Sequence, residues 1–294
     1  MESSAQHFVS IWSATNNYVL PADEYEQERL NLQARILNQL FDNKLVLAPI
    51  VLKGGDVVLD SGTGTGHWLL SLAKEYDRCT NPSIKFYGID TLDQMFPSPP
   101  TTPPNTSFFT CSITSLPPNW SNTISLVHQR LLLGALQAPQ WKAALAEIHR
   151  VLVPGGWAQI IESDRYYFSP SNAIKNHKEL QIRQRLFSET RGLVFDIIDR
   201  LPEWLDEAGL VNLKIERRRL PIGSWAGETG ALALCNIKKF WGAMKEVVMK
   251  EGGLGVVQNE DEFDATINDL LTLCEETPET YMEYLLFVVQ KPVV

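Results

Sequence analysis

The sequence predicts an α/β fold: a doubly wound, mostly parallel, seven-stranded sheet with an N-terminal helical segment and a helical lid insertion. Three observations predict it. Short apolar runs alternate with amphipathic helical periods up to residue 162, the pattern of a parallel sheet buried on both faces. The first run ends in an acid and a glycine-rich turn, Val57 to Trp68. Apolar residues make up 44% of the 294, enough for a large core.

The elements follow in order. Residues 23–46 read as a helix, because Leu30, Ala34, Leu37 and Phe41 recur on one face, widened by Ile36 and Leu40. Val57-Val58-Leu59-Asp60 is a buried strand, and a helix follows over 65–76. Strands are expected at 84–89, 108–111, 123–128 and 157–162. A helix over 140–152 carries Trp141, Leu145, Ile148 and Leu152 on one face and stops at Pro154-Gly155-Gly156. Beyond Asp164 helical stretches are expected at 174–190, 201–207, 231–250 and 260–275. Strands at 211–220 and 281–290 complete the sheet. The expected organisation is a helical cap, 1–50, and a ligand-binding domain, 51–294, with lid insertions at about 165–208 and 226–278.

The bulk properties narrow the partners. The net charge is −9, so nucleic acid and anionic lipid are disfavoured and a small-molecule substrate is the expectation. No apolar stretch is long enough to span a membrane and no secretory signal leads the chain, which points to the cytosol, with the nucleus as the alternative. Cys79, Cys111, Cys235 and Cys274 are scattered, so neither a metal cluster nor a disulfide framework is expected. Arg217 to Arg219 fall inside a strand-like alternation and read as a solvated face. Oligomeric state is left open.

The string Asp60-Ser61-Gly62-Thr63-Gly64-Thr65-Gly66 decides the ligand class. Counting GxGxxG from Gly62 puts His67 in the third glycine position, and from Gly64 it puts Leu69 there, so the dinucleotide fingerprint fails. A P-loop fails for want of Gly-Lys-Ser/Thr. Residues without side chains let the backbone pass close to a ligand, and free N–H groups at a helix start meet a carboxylate. Asp60 ends the first strand and can face a cationic amino-acid group. Asp90 ends the second, where an acid bonds ribose hydroxyls. A nucleoside joined to an amino acid fits these groups, which makes S-adenosyl-L-methionine (SAM) the expected cofactor.

At these residues the chain resembles the class I SAM-dependent methyltransferases, which have a Rossmann-like fold. More narrowly it resembles the fungal LaeA-like (UMTA-type) methyltransferases of secondary metabolism. The matching pieces include Tyr18-Val19-Leu20-Pro21, RLNLQ at 29–33, LDSGTGTGHW at 59–68 and GIDTLDQMFP at 88–97. LPPNW at 116–120, VHQRLLLG at 127–134, LVPGGWAQIIE at 152–162 and LPIGSW at 220–225 continue them. The resemblance implies SAM-dependent methylation of a small molecule at oxygen, nitrogen or carboxylate. Two alternatives stand beside it: a SAM-fold regulator or partner-binding protein, and a non-methylating cyclase. An acid often follows the third strand in the broader class; Cys111-Ser112-Ile113 stands there instead.

The candidate site residues follow from topology. His128 and Glu162 end the fourth and fifth strands and are the candidates for a base, His128 also for a structural histidine. Arg130 is a candidate for a carboxylate. Gly62, Thr63, Gly64 and Gly66 form the turn, with Asp60 and Asp90 beside it. Met95, Ser112 and Ile113 are placed near the base of the nucleoside, Trp68 near the methionine part and Tyr18 as a closing lid. Asp164, Tyr166 and Tyr167 are expected in a loop near the acceptor.

Overall fold

The computed structural model describes residue 20 and residues 22–78, 83–98 and 102–293. Tyr18 lies outside the described residues. Seven strands form one sheet in the order β3-β2-β1-β4-β5-β7-β6. They are β1 (Val57–Ser61), β2 (Lys85–Asp90), β3 (Thr106–Thr110), β4 (Ile124–Arg130), β5 (Leu152–Phe168), β6 (Val211–Pro221) and β7 (Tyr281–Gln290). The first five pair in parallel, while β7 runs antiparallel to both β5 and β6.

Adjacent residues in the strands bury into opposite cores, as the continuous apolar runs require. Val58, Leu126, Ile161 and Leu286 face one side, where they meet α1 (Glu24–Leu40), α2 (His67–Arg78), α7 (Gly227–Lys250) and α8 (Glu260–Glu276). Leu59, Val127, Ile160 and Leu285 face the other, against α3 (Ala138–Val151) and α6 (Ile197–Glu207). Asp23 caps α1 by accepting from the Glu26 N–H at 2.8 Å. The helix ends six residues short of the expected boundary, because Asp42 and Asn43 both take left-handed backbone at φ 57°. The expected single helix over 174–190 is instead α4 (Asn172–Lys175), α5 (Lys178–Gln184) and a π-turn over 185–190.

β5 departs most from expectation. It begins at Leu152, five residues early, and continues to Phe168. Its pairing with β7 shifts register between Ser163 and Tyr167. Such a bulge re-aims side chains; here Ser163, Asp164 and Tyr167 all face the same cavity. β6 is an edge strand with both faces exposed through Arg217, and Arg217 and Arg219 pair with Glu283, as a solvated face should.

Phe108 fixes the start of α2 against β2. A Cβ built on Gly66 would lie 2.8 Å from its Cζ, and one on Gly88 would lie 2.6 Å from its Cδ1. Gly66 therefore serves packing and does not line the cavity, a correction to its expected place beside the ligand. Gly88→Ala should destabilise the fold by roughly 1–3 kcal/mol through overpacking. Urea unfolding measures this, and adding Phe108→Leu should recover most of the loss.

Candidate functional site

The order of the sheet reverses between β1 and β4, and ligands bind such folds at the carboxyl ends of the strands beside that point. A cavity of about 320 Å³ opens there. Its floor is the glycine-rich turn. Gly62, Gly64 and Gly66 take φ of 65°, 53° and 70°, a region that favours glycine. The Thr63 N–H donates to Ile89 O at 2.9 Å, tying the turn to β2. Asp90 tightens it from the side, accepting from the Gly64 N–H at 2.9 Å and the Leu92 N–H at 3.1 Å. Burial raises the Asp90 carboxyl above its ordinary range, against the pull of those N–H groups.

Of the expected cofactor residues, Gly62, Thr63, Gly64, Asp90, Met95, Ser112, Ile113 and Arg130 line the cavity. Asp60 does not. It lies beneath the turn, 3% exposed, and accepts from Thr63 Oγ1 at 2.6 Å. Burial pushes its carboxyl up to about 7, opposed by the Arg130 charge and the Thr63 hydroxyl, and helped by nearby Asp90. Asp60 thus shapes the turn from behind rather than facing a ligand. Trp68 is also corrected: it is buried away from the cavity, and its Nε1 donates to Leu45 O at 3.2 Å.

Neither expected base reaches the cavity. His128 is 1% exposed and stacks on Trp68 with ring centroids 3.8 Å apart. Its Nδ1 lies 3.0 Å from Gln159 Nε2, which also donates to Leu45 O at 2.8 Å. Burial, with Arg130 nearby, holds the His128 pKa well below 6.5. This is a neutral histidine wedging α2 against the sheet. Glu162 is fully buried and accepts from the Leu132 and Leu133 N–H groups at 2.8 and 3.2 Å. Burial pushes its carboxyl up to about 8, while those two N–H groups pull it down. Among the residues expected near the acceptor, Asp164 and Tyr167 line the cavity, whereas Tyr166 is exposed at the surface.

The rest of the wall comes from residues that composition and periodicity did not single out as functional. Arg29 of α1 and Arg183 of α5 both line it, as do Phe187, Asn236, Phe240 and Tyr284. Arg29 is clamped by buried Glu26 through its Nε at 2.7 Å and Nη2 at 2.6 Å. Arg183 pairs with Glu179, which is 0% exposed, and donates to Tyr167 Oη at 2.6 Å. Its guanidinium lies over the Tyr167 ring, 4.9 Å from the centroid. Burial raises both phenols, Tyr284 to about 12 and Tyr167 further. The signal for the arginines was present: Glu26 and Arg29 fall on the buried stripe of α1, three residues apart. Charged residues on an apolar stripe are buried only when paired.

The donor set fits a nucleoside joined to an amino acid. Asp90 offers carboxylate oxygens for hydroxyls, Ser112 a hydroxyl, and Leu92, Met95 and Ile113 an apolar slot for a base. Arg130 supplies the cation for a carboxylate; its guanidinium makes no hydrogen bond with another described residue.

Comparison with known proteins agrees. Residues 58–156 match the family described as "Methyltransferase domain". N-methyltransferase sirN of Leptosphaeria maculans is 33% identical over 245 residues, covering 80% of this chain and 81% of its own. The chain belongs to the class I SAM-dependent methyltransferases of fungal secondary metabolism. N-methyltransferase tcpN of Claviceps purpurea is 28% identical to this methyltransferase over 210 residues, covering 68% of this chain and 71% of its own. Among solved structures, phosphoethanolamine N-methyltransferase 2 of Haemonchus contortus is 13% identical, covering 94% of this chain and 55% of that one, with a TM-score of 0.49. The cofactor is SAM, and the cavity lined by Asp90, Arg130, Ser112 and the turn residues Gly62, Thr63 and Gly64 is the candidate site for it.

His128 gives the site's first test. An unfolded histidine titrates near 6.5, whereas folded His128 stays neutral well below that. The unfolded chain takes up a proton that the folded one refuses, so this residue's contribution to stability is lost as pH falls below about 6.5. His128→Phe keeps the ring stack and should flatten that part of the urea-midpoint profile. Methyl transfer by the variant should stay within a few-fold of wild type. An unchanged stability profile, or loss of turnover in a folded variant, would contradict the placement of His128 behind the cavity.

Proposed function

We propose that this methyltransferase transfers its methyl group to a nitrogen of a neutral, largely apolar small molecule. The carrying observation is the chemistry of the cavity wall. Among the described residues that line it there is no histidine, lysine or glutamate, and its two aspartates already accept backbone N–H groups: Asp90 from Gly64 and Leu92, and Asp164 from Tyr166. Its two tyrosines are held protonated by burial. A hydroxyl acceptor must lose a proton during transfer and needs a base, whereas an un-ionised amine brings its own lone pair. Arg29 and Arg183 each carry a buried glutamate of their own, so neither leaves an unbalanced charge to attract a carboxylate. Leu30, Leu193, Val194, Ile237 and Phe240 supply apolar surface. The sirN and tcpN relatives are N-methyltransferases by name, which supports the same acceptor atom.

When bound, SAM supplies an electrophilic methyl group on a sulfonium. The protein's own work is to align the acceptor, exclude water and prevent side reactions. In this reading residues 1–50 act as a cap and the insertions at 165–208 and 226–278 as a lid. Leu20, Arg29, Arg183, Phe187 and Phe240 carry that reading, since they come from those stretches and line the cavity. Cys111, Cys235 and Cys274 are free thiols, which suits the reducing cytosol as the compartment.

The test pairs neutral amines with their hydroxyl counterparts on one apolar scaffold. Incubation with SAM should methylate the amine alone, as read by mass spectrometry. The acid limb of kcat/KM should track the acceptor's own amine pKa across a series. Methylation confined to hydroxyls or carboxylates, or a limb fixed whatever the amine, would contradict the proposal.

A further inference from the structure

Glu162 is a buried carboxyl in the middle of β5 that does not line the cavity. Across the strand pair it faces Leu285 of β7, and it shares a face with Ile160. An apolar residue is the default there, because burying a carboxylate is costly unless its charge is well bonded. Its two oxygens take the Leu132 and Leu133 N–H groups, at the start of the 3-10 turn Leu132–Gly134. Those donors have no partner within the turn.

The strip they belong to is unusual in three ways. All six residues from Leu131 to Leu136 line the cavity. Leu131 enters the strip in left-handed backbone at φ 55°, a strained conformation for a leucine. Leu132 lies against the glycine-rich turn so closely that a Cβ on Gly62 would sit 2.7 Å from its Cδ2. Beyond the strip, Gln137 bridges to Leu193 and donates from Nε2 to Arg191 O at 2.9 Å, and Leu193 itself lines the cavity.

We propose that Glu162 is a positioning residue: by holding the Leu131–Leu136 strip, it sets the fit of Leu132 on Gly62 and so the affinity for the cofactor. The strained entry at Leu131 persists because the carboxylate beneath fixes the two residues that follow. Without that clamp the strip relaxes, Leu132 withdraws from Gly62, and the turn loses its cover. Glu162 acts only through the strip and touches neither cofactor nor acceptor.

The test reads affinity for S-adenosylhomocysteine by calorimetry, so it stands apart from the identity of the acceptor. Glu162→Gln keeps one accepting oxygen and turns an amide N–H toward the other donor. It should weaken binding roughly 10-fold, in keeping with a buried N–H left without its acceptor. Leu132→Ala should weaken binding by a similar factor, and combining it with Glu162→Gln should add little, since both act along one path. Leu285→Ala is the structural control: it leaves a cavity beside Glu162 and lowers the urea midpoint, while affinity stays within about 2-fold. Wild-type affinity in Glu162→Gln, fully additive losses in the double variant, or an equal loss of affinity in Leu285→Ala would each overturn the proposal.

Discussion

The glycine-rich turn between β1 and α2 is the constraint on which the other parts of the site depend. Three glycines in positive-φ backbone make it, but they do not hold it. Asp60 grips Thr63 from beneath, Asp90 grips Gly64 from the side, Phe108 closes over Gly66, and Leu132 covers Gly62. Each of these residues comes from a different segment of the chain. The turn is thus where the ends of β1 and β2, the body of β3 and the strip after β4 are brought into register. Acids at two strand ends therefore differ in role. Asp90 reaches the cavity while it braces the turn, whereas Asp60 is spent entirely on the turn and sits too deep to ionise as readily as an exposed carboxylate.

A second constraint is electrostatic. Arg29, Arg130 and Arg183 all line one cavity, and like charges sharing a partly apolar enclosure repel. The structure relieves this by giving Arg29 and Arg183 a buried glutamate each, one turn away on the same helix, and by setting Asp60 near Arg130. The balance is local, pair by pair. It leaves Arg29 and Arg183 each balanced by a glutamate, while the Arg130 guanidinium, with Asp60 near it, stays open to the cavity.

The sheet was legible because its central strands are buried on both faces, and a short continuous apolar run such as Val57-Val58-Leu59, bounded by turn residues, suits a strand covered on both sides. The turn was legible because its positive-φ backbone favours glycine. Strand-end position, by contrast, misplaced His128 and Glu162. Topology puts both near the carboxyl edge, but a strand end has two faces and a depth. Which way a side chain points there depends on what covers it: Trp68 for His128, and the Leu131–Leu136 strip for Glu162. The bulge between Ser163 and Tyr167 was invisible for a related reason. It arises from pairing with β7, more than a hundred residues later in sequence, and it turns Asp164 and Tyr167 into the cavity. The charged pairs Glu26–Arg29 and Glu179–Arg183 were readable in principle, since both sit on apolar stripes.

The two halves of the cavity are built by different means, and this bears on how the acceptor is chosen. The cofactor half is made by strand ends and by a backbone turn whose conformation tolerates few substitutions. The opposite half, which the proposal gives to the acceptor, is made by side chains on α1, α5, the π-turn and α7, elements that lie outside the first five strands and their crossovers. Side chains such as Phe187, Asn236 and Phe240 can change size and polarity without moving β1, β2 or the turn between them. The two halves meet through the Leu131–Leu136 strip, which touches the turn at Gly62 and leads through Gln137 to Leu193 on the opposite wall. A change of acceptor that leaves this strip alone therefore leaves the cofactor seat intact, while one that presses on it is felt at both.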